Sequence, residues 1–269
     1  MSKPVSKFYL GVDIGSLTTK VVMVDEESRI IARATGRTGF SGREVASRLA
    51  ASLLIELQLS EKDVAATVAT GYGRVTFPAD REMSEITCQA RGIYQLFNKA
   101  ETVIDIGGQD SKVIKVLPGG KVSDFTMNDK CAAGTGRFLE VMAGALEVDV
   151  KELGGLAEEA SDSCSISSIC TVFAESEVIS HIAAGRTKPD IVAGVCNSVA
   201  ARVAALTART GLAPDVVFTG GVARNKGVVN ALAAQLGTRL LIPDEPEITA
   251  ALGAALFARD IAPKNKPCV

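Results

Sequence analysis

The chain has 269 residues, of which 47% are hydrophobic and 22% charged, and its formal net charge at pH 7 is −2. This length supports one large domain or two modest ones. The near-neutral charge, the aromatic content of 4% and the absence of a long apolar run argue against nucleic-acid, membrane-surface and membrane-spanning classes.

The first predicted elements are two strands around a turn rich in small hydroxyl residues. Residues 8–13 form an apolar run of β-type residues, and residues 21–25 continue as a strand. The turn between them, residues 15–20, would let backbone N–H groups and hydroxyls approach phosphate oxygens closely. Taken alone, this pattern does not distinguish a phosphate site from a plain hairpin.

The same pattern recurs about 90 residues later, which indicates an internal repeat. Asp13-Ile14-Gly15 aligns with Asp105-Ile106-Gly107, and Lys20-Val21 aligns with Lys112-Val113. The repeat predicts two similar folding units. Each would present an aspartate and a phosphate-type hairpin, and the two would face one another across a cleft.

The remaining elements alternate between helix and strand, which predicts an α/β protein. Helices are expected at residues 42–59, 85–97, 138–145, 175–184, 189–210, 226–236 and 247–258. Strands are expected at residues 64–70, 215–218 and 239–242. No apolar h-region follows the N-terminal lysines, so no signal peptide is expected and the protein is predicted to be cytoplasmic.

Residues 128–138 place a cysteine just before a small-residue loop that leads into an apolar helical pattern. Cys131 is therefore expected near a helix N-terminus, where free N–H groups and the macrodipole favour a thiolate. Cys170 stands in the same kind of place before residues 171–179. An iron–sulfur cluster normally needs four thiolates, and two chains related by a two-fold axis would supply them.

The other cysteines suggest different environments. Cys88 and Cys196 lie within helix patterns and are expected in the core, Cys164 lies in a Ser-rich loop, and Cys268 is near the C-terminus. A cluster within one chain, completed by Cys164 and Cys196, is the alternative. No Cys-x-x-Cys pair or histidine cluster indicates zinc, and His181 is expected to be a satisfied or surface residue.

The paired hairpins and Thr219-Gly220-Gly221 resemble the nucleotide-binding superfamily of sugar kinases, actin and the 70-kDa heat-shock chaperones. Within it, residues 128–138 and 170–179 resemble the ATPase activators of 2-hydroxyacyl-CoA dehydratases and the related ATPase subunits of benzoyl-CoA reductase. The resemblance covers about residues 8–258. It implies two actin-like (ribonuclease H-like) domains facing each other across a nucleotide cleft.

The implied domain boundaries follow the repeat. The first domain would comprise residues 1–99 and 247–262, the second residues 100–246, and residues 263–269 would be a flexible tail. Small residues at 250–254 would let another helix come very close, either as a hinge between the two halves or through packing alone.

The resemblance also implies an ATP or ADP site with Mg²⁺. The expected phosphate-binding residues are Gly15, Ser16, Thr18 and Lys20 from one side, and Gly107, Gly108 and Gln109 from the other. Adenosine would lie against Gly220, Gly221, Val222 and Asn225, with Gly134, Thr135, Gly136 and Arg137 as the opposite wall. Asp13 and Asp105 would converge on the phosphates and act on Mg²⁺ through bound waters.

Glu85 and Gln109 are candidates to orient the attacking water. Simpler structural roles remain open for several of these residues. The aspartates could cap turns, Glu85 could be a charge at a helix N-terminus, and the Gly220-Gly221 pair could be a tight turn.

The function implied by the resemblance is that of an electron-transfer ATPase. A ferredoxin or flavodoxin would supply one electron to a [4Fe-4S] cluster held by Cys131 and Cys170 of both chains of a homodimer. ATP hydrolysis would change the angle between the domains and drive the electron into an iron–sulfur dehydratase or reductase. The alternatives are a small-molecule kinase, for which no convincing sugar-kinase signature is present, and a nucleotide-dependent regulatory module without redox chemistry.

Overall fold

The computed structural model describes residues 7–167 and 170–263. The described residues divide into two compact units. Unit 1 contains the chain up to Lys99, the segment Leu117–Val122 and the chain from Glu247 onward; unit 2 contains Ala100–Val116 and Ser123–Pro246. Except for Pro263, the predicted tail lies outside the described residues, as does Cys268.

The first elements in chain order build the sheet of unit 1. They are β1 (Phe8–Ile14), β2 (Thr18–Val24), β3 (Ile30–Arg37), α1 (Gly42–Glu56), β4 (Val64–Thr70), β5 (Arg81–Glu82) and α2 (Glu85–Leu96). The strand order is β3-β2-β1-β4-β5. β1 pairs antiparallel with β2 and parallel with β4. The turn between Ile14 and Thr18 therefore joins two adjacent strands of the sheet.

The middle of the chain builds unit 2. Its elements, apart from the adjoining ends of β7 and β8 that fall within Leu117–Val122, are β6 (Thr102–Ile106), β7 (Ser111–Leu117), β8 (Lys121–Asn128), α3 (Gly136–Ala145), α4 (Leu153–Glu158), α5 (Thr171–Ala183), α6 (Lys188–Thr210), β9 (Val216–Thr219) and α7 (Lys226–Leu236). The strand order is β8-β7-β6-β9. β6 pairs antiparallel with β7 and parallel with β9, which repeats the arrangement of β1. The last helix, α8 (Thr249–Ile261), belongs to unit 1.

Helix α8 packs in unit 1 through close backbone approach. A Cβ on Gly253 would lie 1.8 Å from the carbonyl oxygen of Cys88 in α2, and one on Gly11 of β1 would lie 2.0 Å from that of Ala251. Only glycine fits at such contacts. The small residues at 250–254 therefore form a packing surface. Packing was one of the two roles considered for them from the sequence.

Helix α6 crosses the core of unit 2, where it buries Val195, Val199 and Val203. Within the described part of the chain it is the one helix long and apolar enough to cross a membrane, and 56% of that apolar window is buried inside the protein. This burial is typical of a core helix in a globular fold.

One strand prediction was wrong, and two of the longer strands were not predicted. Residues 239–242 do not form a strand; Leu241 makes a single parallel bridge with Val217. β3 and β8 were not expected from the sequence. Both are the outer strands of their hairpin repeats, and four of the eight residues in each are exposed, so neither shows the apolar run of the inner strands.

Candidate functional site

The hairpin of each unit carries the same aspartate–lysine pair. Asp13 lies directly opposite Lys20 in the β1–β2 register, and Asp105 lies opposite Lys112 in the β6–β7 register. Lys20 Nζ is 3.0 Å from Asp13 Oδ2, and Lys112 Nζ is 3.4 Å from Asp105 Oδ2. The sequence repeat is therefore a structural repeat that buries one paired carboxylate in each unit.

The two turns also close in the same way. The N–H of Gly15 donates to the carbonyl of Thr18 at 3.1 Å, and the N–H of Gly107 donates to that of Asp110 at 2.9 Å. A Cβ on Gly15 would lie 2.9 Å from the Thr18 carbonyl oxygen, and one on Gly107 would lie 2.6 Å from Asp110 Oδ1. Both glycines are required by the tightness of these turns.

A further part of the repeat was missed by sequence reasoning. Thr70-Gly71 follows β4 and Thr219-Gly220 follows β9, and the two threonines are register partners of Asp13 and Asp105. The two glycines have φ angles of +84° and +85°, and a Cβ on them would lie 2.5 and 2.7 Å from the Oδ1 atoms of those aspartates. A Thr-Gly pair after a strand in both copies was the signal available in the sequence.

The second hairpin differs from the first by one carboxylate. Asp110 stands where the repeat has Thr18, and its Oδ1 is 2.7 Å from Lys112 Nζ. The Lys112 side chain is 2% exposed, compared with 13% for Lys20. In unit 2 a buried lysine therefore contacts two buried carboxylates, Asp105 and Asp110, and neither Asp110 nor Lys112 was among the expected site residues.

The start of α3 is bonded to the turn of the second hairpin. The N–H of Gly136 donates to the carbonyl of Gly107 at 2.9 Å, and that of Arg137 donates to the carbonyl of Gly108 at 2.8 Å. A Cβ on Gly136 would lie 3.6 Å from Val222 Cγ2. Unit 2 thus brings together three groups of expected site residues, at 107–108, 134–137 and 220–222.

Several of the expected residues have local structural partners. Asn225 caps α7, since its Oδ1 accepts from the N–H of Val228 at 3.1 Å. Gly134, with a φ of +78°, lies against the side chain of Arg202, and Thr135 Oγ1 donates to the carbonyl of Ala132 at 2.6 Å. These contacts give the loop before α3 a defined shape.

In unit 1, Ser16 and Thr18 are half-buried in the β1–β2 turn. Glu85 is the first residue of α2, after the N-cap Ser84, and Gln109 is exposed in the β6–β7 turn. The position of Glu85 fits the expected helix N-terminal charge. A role for either residue in orienting water stays a prediction.

The two cysteines of interest precede helices that pack against each other, α3 and α5. Cys170 is exposed and is the N-cap of α5, without a side-chain capping bond. Cys131 is half-buried in the loop before Thr135, the N-cap of α3. Asn128 Nδ2 donates to the carbonyls of Cys131 at 2.8 Å and of Ala133 at 3.1 Å, which fixes this loop.

The other described cysteines occupy different environments. Cys88 and Cys196 are buried in the core, as expected, and burial raises the pKa of each thiol to about 12. Cys164 is buried, and Arg186 Nε is 3.2 Å from its Sγ. Among residues 7–167 and 170–263, no three His, Cys, Asp or Glu side chains form a group that could hold a metal ion.

Helix α5 exposes apolar side chains beyond Cys170. Val172 and Phe173 in its first turn are 67% and 64% exposed, and Ile179 and Ile182 are also exposed. Apolar side chains clustered on one exposed helix are typical of a protein–protein contact.

Comparison with known proteins identifies a family and two similar proteins. A sequence profile of the BadF/BadG/BcrA/BcrD ATPase family matches residues 10–258. The 2-hydroxyisocaproyl-CoA dehydratase activator of Clostridioides difficile is 47% identical over 96% of this chain and 97% of that protein. The activator of lactoyl-CoA dehydratase of Anaerotignum propionicum is 48% identical over 96% of this chain and 100% of that protein.

A solved structure shows the same fold. The activator of the 2-hydroxyisocaproyl-CoA dehydratase from Clostridium difficile, with bound ADPNP, superposes with a TM-score of 0.89 at 48% identity over 94% of each chain. The expected α/β architecture of actin-like domains is confirmed, as is the resemblance from which it was inferred.

Proposed function

The chain belongs to the BadF/BadG/BcrA/BcrD ATPase family, and from that premise we propose that this ATPase delivers electrons to a partner iron–sulfur dehydratase or reductase. The observation that carries the proposal is a direct connection within unit 2. The start of α3 is bonded to the phosphate-type turn at Gly107 and Gly108, and the loop before α3 carries Cys131. A conformational change of this turn would therefore be transmitted to the loop that carries Cys131, a candidate cluster ligand, through two backbone hydrogen bonds.

Each unit carries a buried aspartate of the kind that binds Mg²⁺ beside the phosphates of ATP. Asp13 and Asp105 are 3% and 5% exposed, and carboxylate oxygens are ligands that Mg²⁺ prefers, directly or through water. Lys20 and Lys112 hold the two side chains in place. The glycines of both turns leave room for phosphate oxygens, and bound Mg²⁺ would neutralise charge on the β- and γ-phosphates.

The thiols fit a cluster shared between two chains. Cys131 is half-buried and Cys170 exposed, both thiols are free, and both residues precede helices that pack together. Two ligands from each chain of a two-fold dimer complete the four that a [4Fe-4S] cluster needs. The exposed apolar residues of α5, Val172 and Phe173 beside Cys170, support a homodimer contact at this place. The bound cluster would supply a one-electron store.

The contacts of the remaining cysteines argue against a cluster within one chain. Cys196 is buried against Gly227, and its thiol has a pKa of about 12, so it would have to leave the core and lose its proton. Cys164 is buried beside Arg186. The described residues contain no preformed group of three ligands.

The relatives favour an activator over the two alternatives. Those of highest identity described above are dehydratase activators, and the identities extend over almost the full chain. We therefore expect a ferredoxin or flavodoxin as electron donor, an iron–sulfur dehydratase or reductase as acceptor, and a cytoplasmic location. Small-molecule phosphorylation and a purely regulatory role predict no chromophore and no electron delivery.

The proposal can be tested on protein purified without oxygen. We expect a brown protein with absorbance near 400 nm that, once reduced, passes electrons to a partner dehydratase only when ATP is present. Cys131→Ser and Cys170→Ser should each lose the absorbance. A colourless wild-type protein that hydrolyses ATP and binds no iron on reconstitution would contradict the proposal.

A further inference from the structure

The segment that leads to Cys170 is bonded along one side of α5. The carboxylate of Glu177 accepts from the backbone N–H of Ser167 at 2.7 Å and from its hydroxyl at 2.9 Å. One turn further along the helix, His181 Nε2 is 3.0 Å from the carbonyl oxygen of Ser165. A carbonyl oxygen can only accept, so Nε2 of His181 is the donor.

The spacing of these contacts shows that the segment runs antiparallel to the helix. Glu177 and His181 are four residues apart, about 6 Å along the axis of a helix. Ser165 and Ser167 are two residues apart, about 7 Å in extended chain. The distances match, so each serine meets the helix residue at its own level while the chain approaches Cys170.

The attachment adds to the hydrogen bond from the N–H of Ala174, which already holds the carbonyl of Cys170 at 2.9 Å. Three residues of chain from Ser167 to Cys170 span at most about 11 Å. The N-cap of α5 lies about 10 Å along the helix axis from Glu177. Because Glu177 holds both the N–H and the hydroxyl of Ser167, and hydrogen bonds to a charged carboxylate are stronger than neutral ones, the start of this connection is fixed.

We propose that Glu177 and His181 are positioning residues that hold the segment before Cys170 against α5 and so set the position of this thiol. The inference rests on the proposed function, since the thiol is read as a cluster ligand. Neither residue needs to touch the cluster. Glu177 acts through the N–H and hydroxyl of Ser167, and His181 acts through the carbonyl of Ser165. Asn128 acts in a similar way on the loop of Cys131.

The first test uses the cluster-free protein, so that it does not depend on the proposed function. Amide hydrogen exchange at Ser167 should be about tenfold faster in Glu177→Gln than in wild type, because the charged acceptor is lost. Glu175→Gln is the matched control: it removes the same charge from the same helix, and Glu175 makes no side-chain hydrogen bond within residues 7–167 and 170–263. Equal exchange rates at Ser167 in Glu177→Gln and Glu175→Gln would show that Glu177 does not hold the segment against α5.

The second test measures whether Glu177 and His181 affect how firmly Cys170 holds the cluster. After anaerobic reconstitution, Glu177→Gln should release iron to a chelator about tenfold faster than wild type or Glu175→Gln. His181→Leu should do the same, and His181→Gln, which keeps an N–H donor, should restore slow release. Faster exchange at Ser167 with unchanged iron release would overturn the positioning role.

The two failures are distinguishable. If wild-type protein takes up no iron, the proposed function fails. The alkylation rate of Cys170, followed by peptide mass, then decides the inference in the same protein. The alkylation rate should differ between Glu177→Gln and Glu175→Gln if Glu177 helps to set the position of the thiol. Equal rates would overturn the inference.

Discussion

Gly71 and Gly220 stand in the same relation to the two buried aspartates of this ATPase. Each follows a threonine at the end of a parallel strand, with a φ of +84° or +85°, and each backbone passes so close to an aspartate that a Cβ would lie within 2.7 Å of its Oδ1. The carboxylates are thus set by two features, a lysine across the hairpin and a glycine on the neighbouring strand.

Alanine at either glycine is expected to impair ATP hydrolysis. In Gly71→Ala or Gly220→Ala the new methyl group would overlap the aspartate and the carbonyl of the residue that follows it, Ile14 or Ile106. The strained φ would add about 1–3 kcal/mol. We expect ATPase activity to fall by about tenfold or more. Gly119→Ala is the control: Gly119 has a φ of +85° but nothing within 4 Å of its Cβ position. Comparable loss of activity in all three variants would show that backbone strain alone explains the effect.

Nucleotide chemistry and cluster binding should be separable. Asp105→Ala removes the buried carboxylate at the phosphate-type turn, so we expect loss of ATP hydrolysis with iron content unchanged. Cys131→Ala removes a ligand, so we expect loss of the cluster with ADP binding retained. Iron analysis and equilibrium nucleotide binding on both variants measure the two functions. Normal hydrolysis in Asp105→Ala would show that the active-site assignment is wrong.

The five described cysteines should react differently with an alkylating reagent in the cluster-free protein. Cys88 and Cys196 are buried, with thiol pKa values of about 12, so only about one in 10,000 is thiolate at pH 8. Cys131 and Cys170 are accessible and should be modified first. Peptide mass analysis over time measures this order. Early modification of Cys196 in folded protein would contradict its place in the core.

Asp190 should contribute to the stability of unit 2 in a pH-dependent way. Its side chain accepts from the N–H groups of Ser161 and Asp162 and from the Thr187 hydroxyl. The backbone hydrogen bond from Asp162 and the bond from Thr187 lower the pKa of this carboxyl below its usual 3.8. A lowered folded-state pKa means that the stabilisation is present above the usual value and is lost as the pH falls through the lowered one.

The comparison that tests this is Asp190→Asn against wild type in urea unfolding. The difference in the free energy of unfolding should be constant between pH 6 and 8 and should shrink below pH 4. A difference that grows as the pH falls below 4 would contradict the assigned sign.

The sequence predicted the central hairpins because their signal is local. Asp13 and Asp105 follow buried apolar runs, and the glycine and lysine at fixed spacing define the turn. Other site residues depend on partners distant in sequence. Gly71 is required by Asp13, 58 residues earlier, and its one signal in the sequence is that the same Thr-Gly pair follows a strand in the second copy.

The structural role of the differences between the two copies of the repeat also could not be predicted from the sequence. Asp110 replaces the threonine expected at that point of the repeat, and its contact with Lys112 becomes visible only when β7 pairs with β6. Asn225 fits a glycine-rich adenosine turn by sequence, but it also caps α7. Cys170 is at a helix start and Cys131 precedes the loop that leads into α3, both as expected. The contacts of Asn128 that shape this loop were not predicted.

The central claim is that two chains share one cluster through Cys131 and Cys170, and iron stoichiometry on the isolated dimer tests it most directly. Reconstituted protein is separated by size under anaerobic conditions, and iron is counted against chain mass. The account predicts four iron atoms per dimer, two per chain, with the count unchanged in Cys88→Ser, Cys164→Ser, Cys196→Ser and Cys268→Ser. Four iron atoms per chain, or loss of iron in Cys164→Ser, would contradict a cluster shared between the subunits.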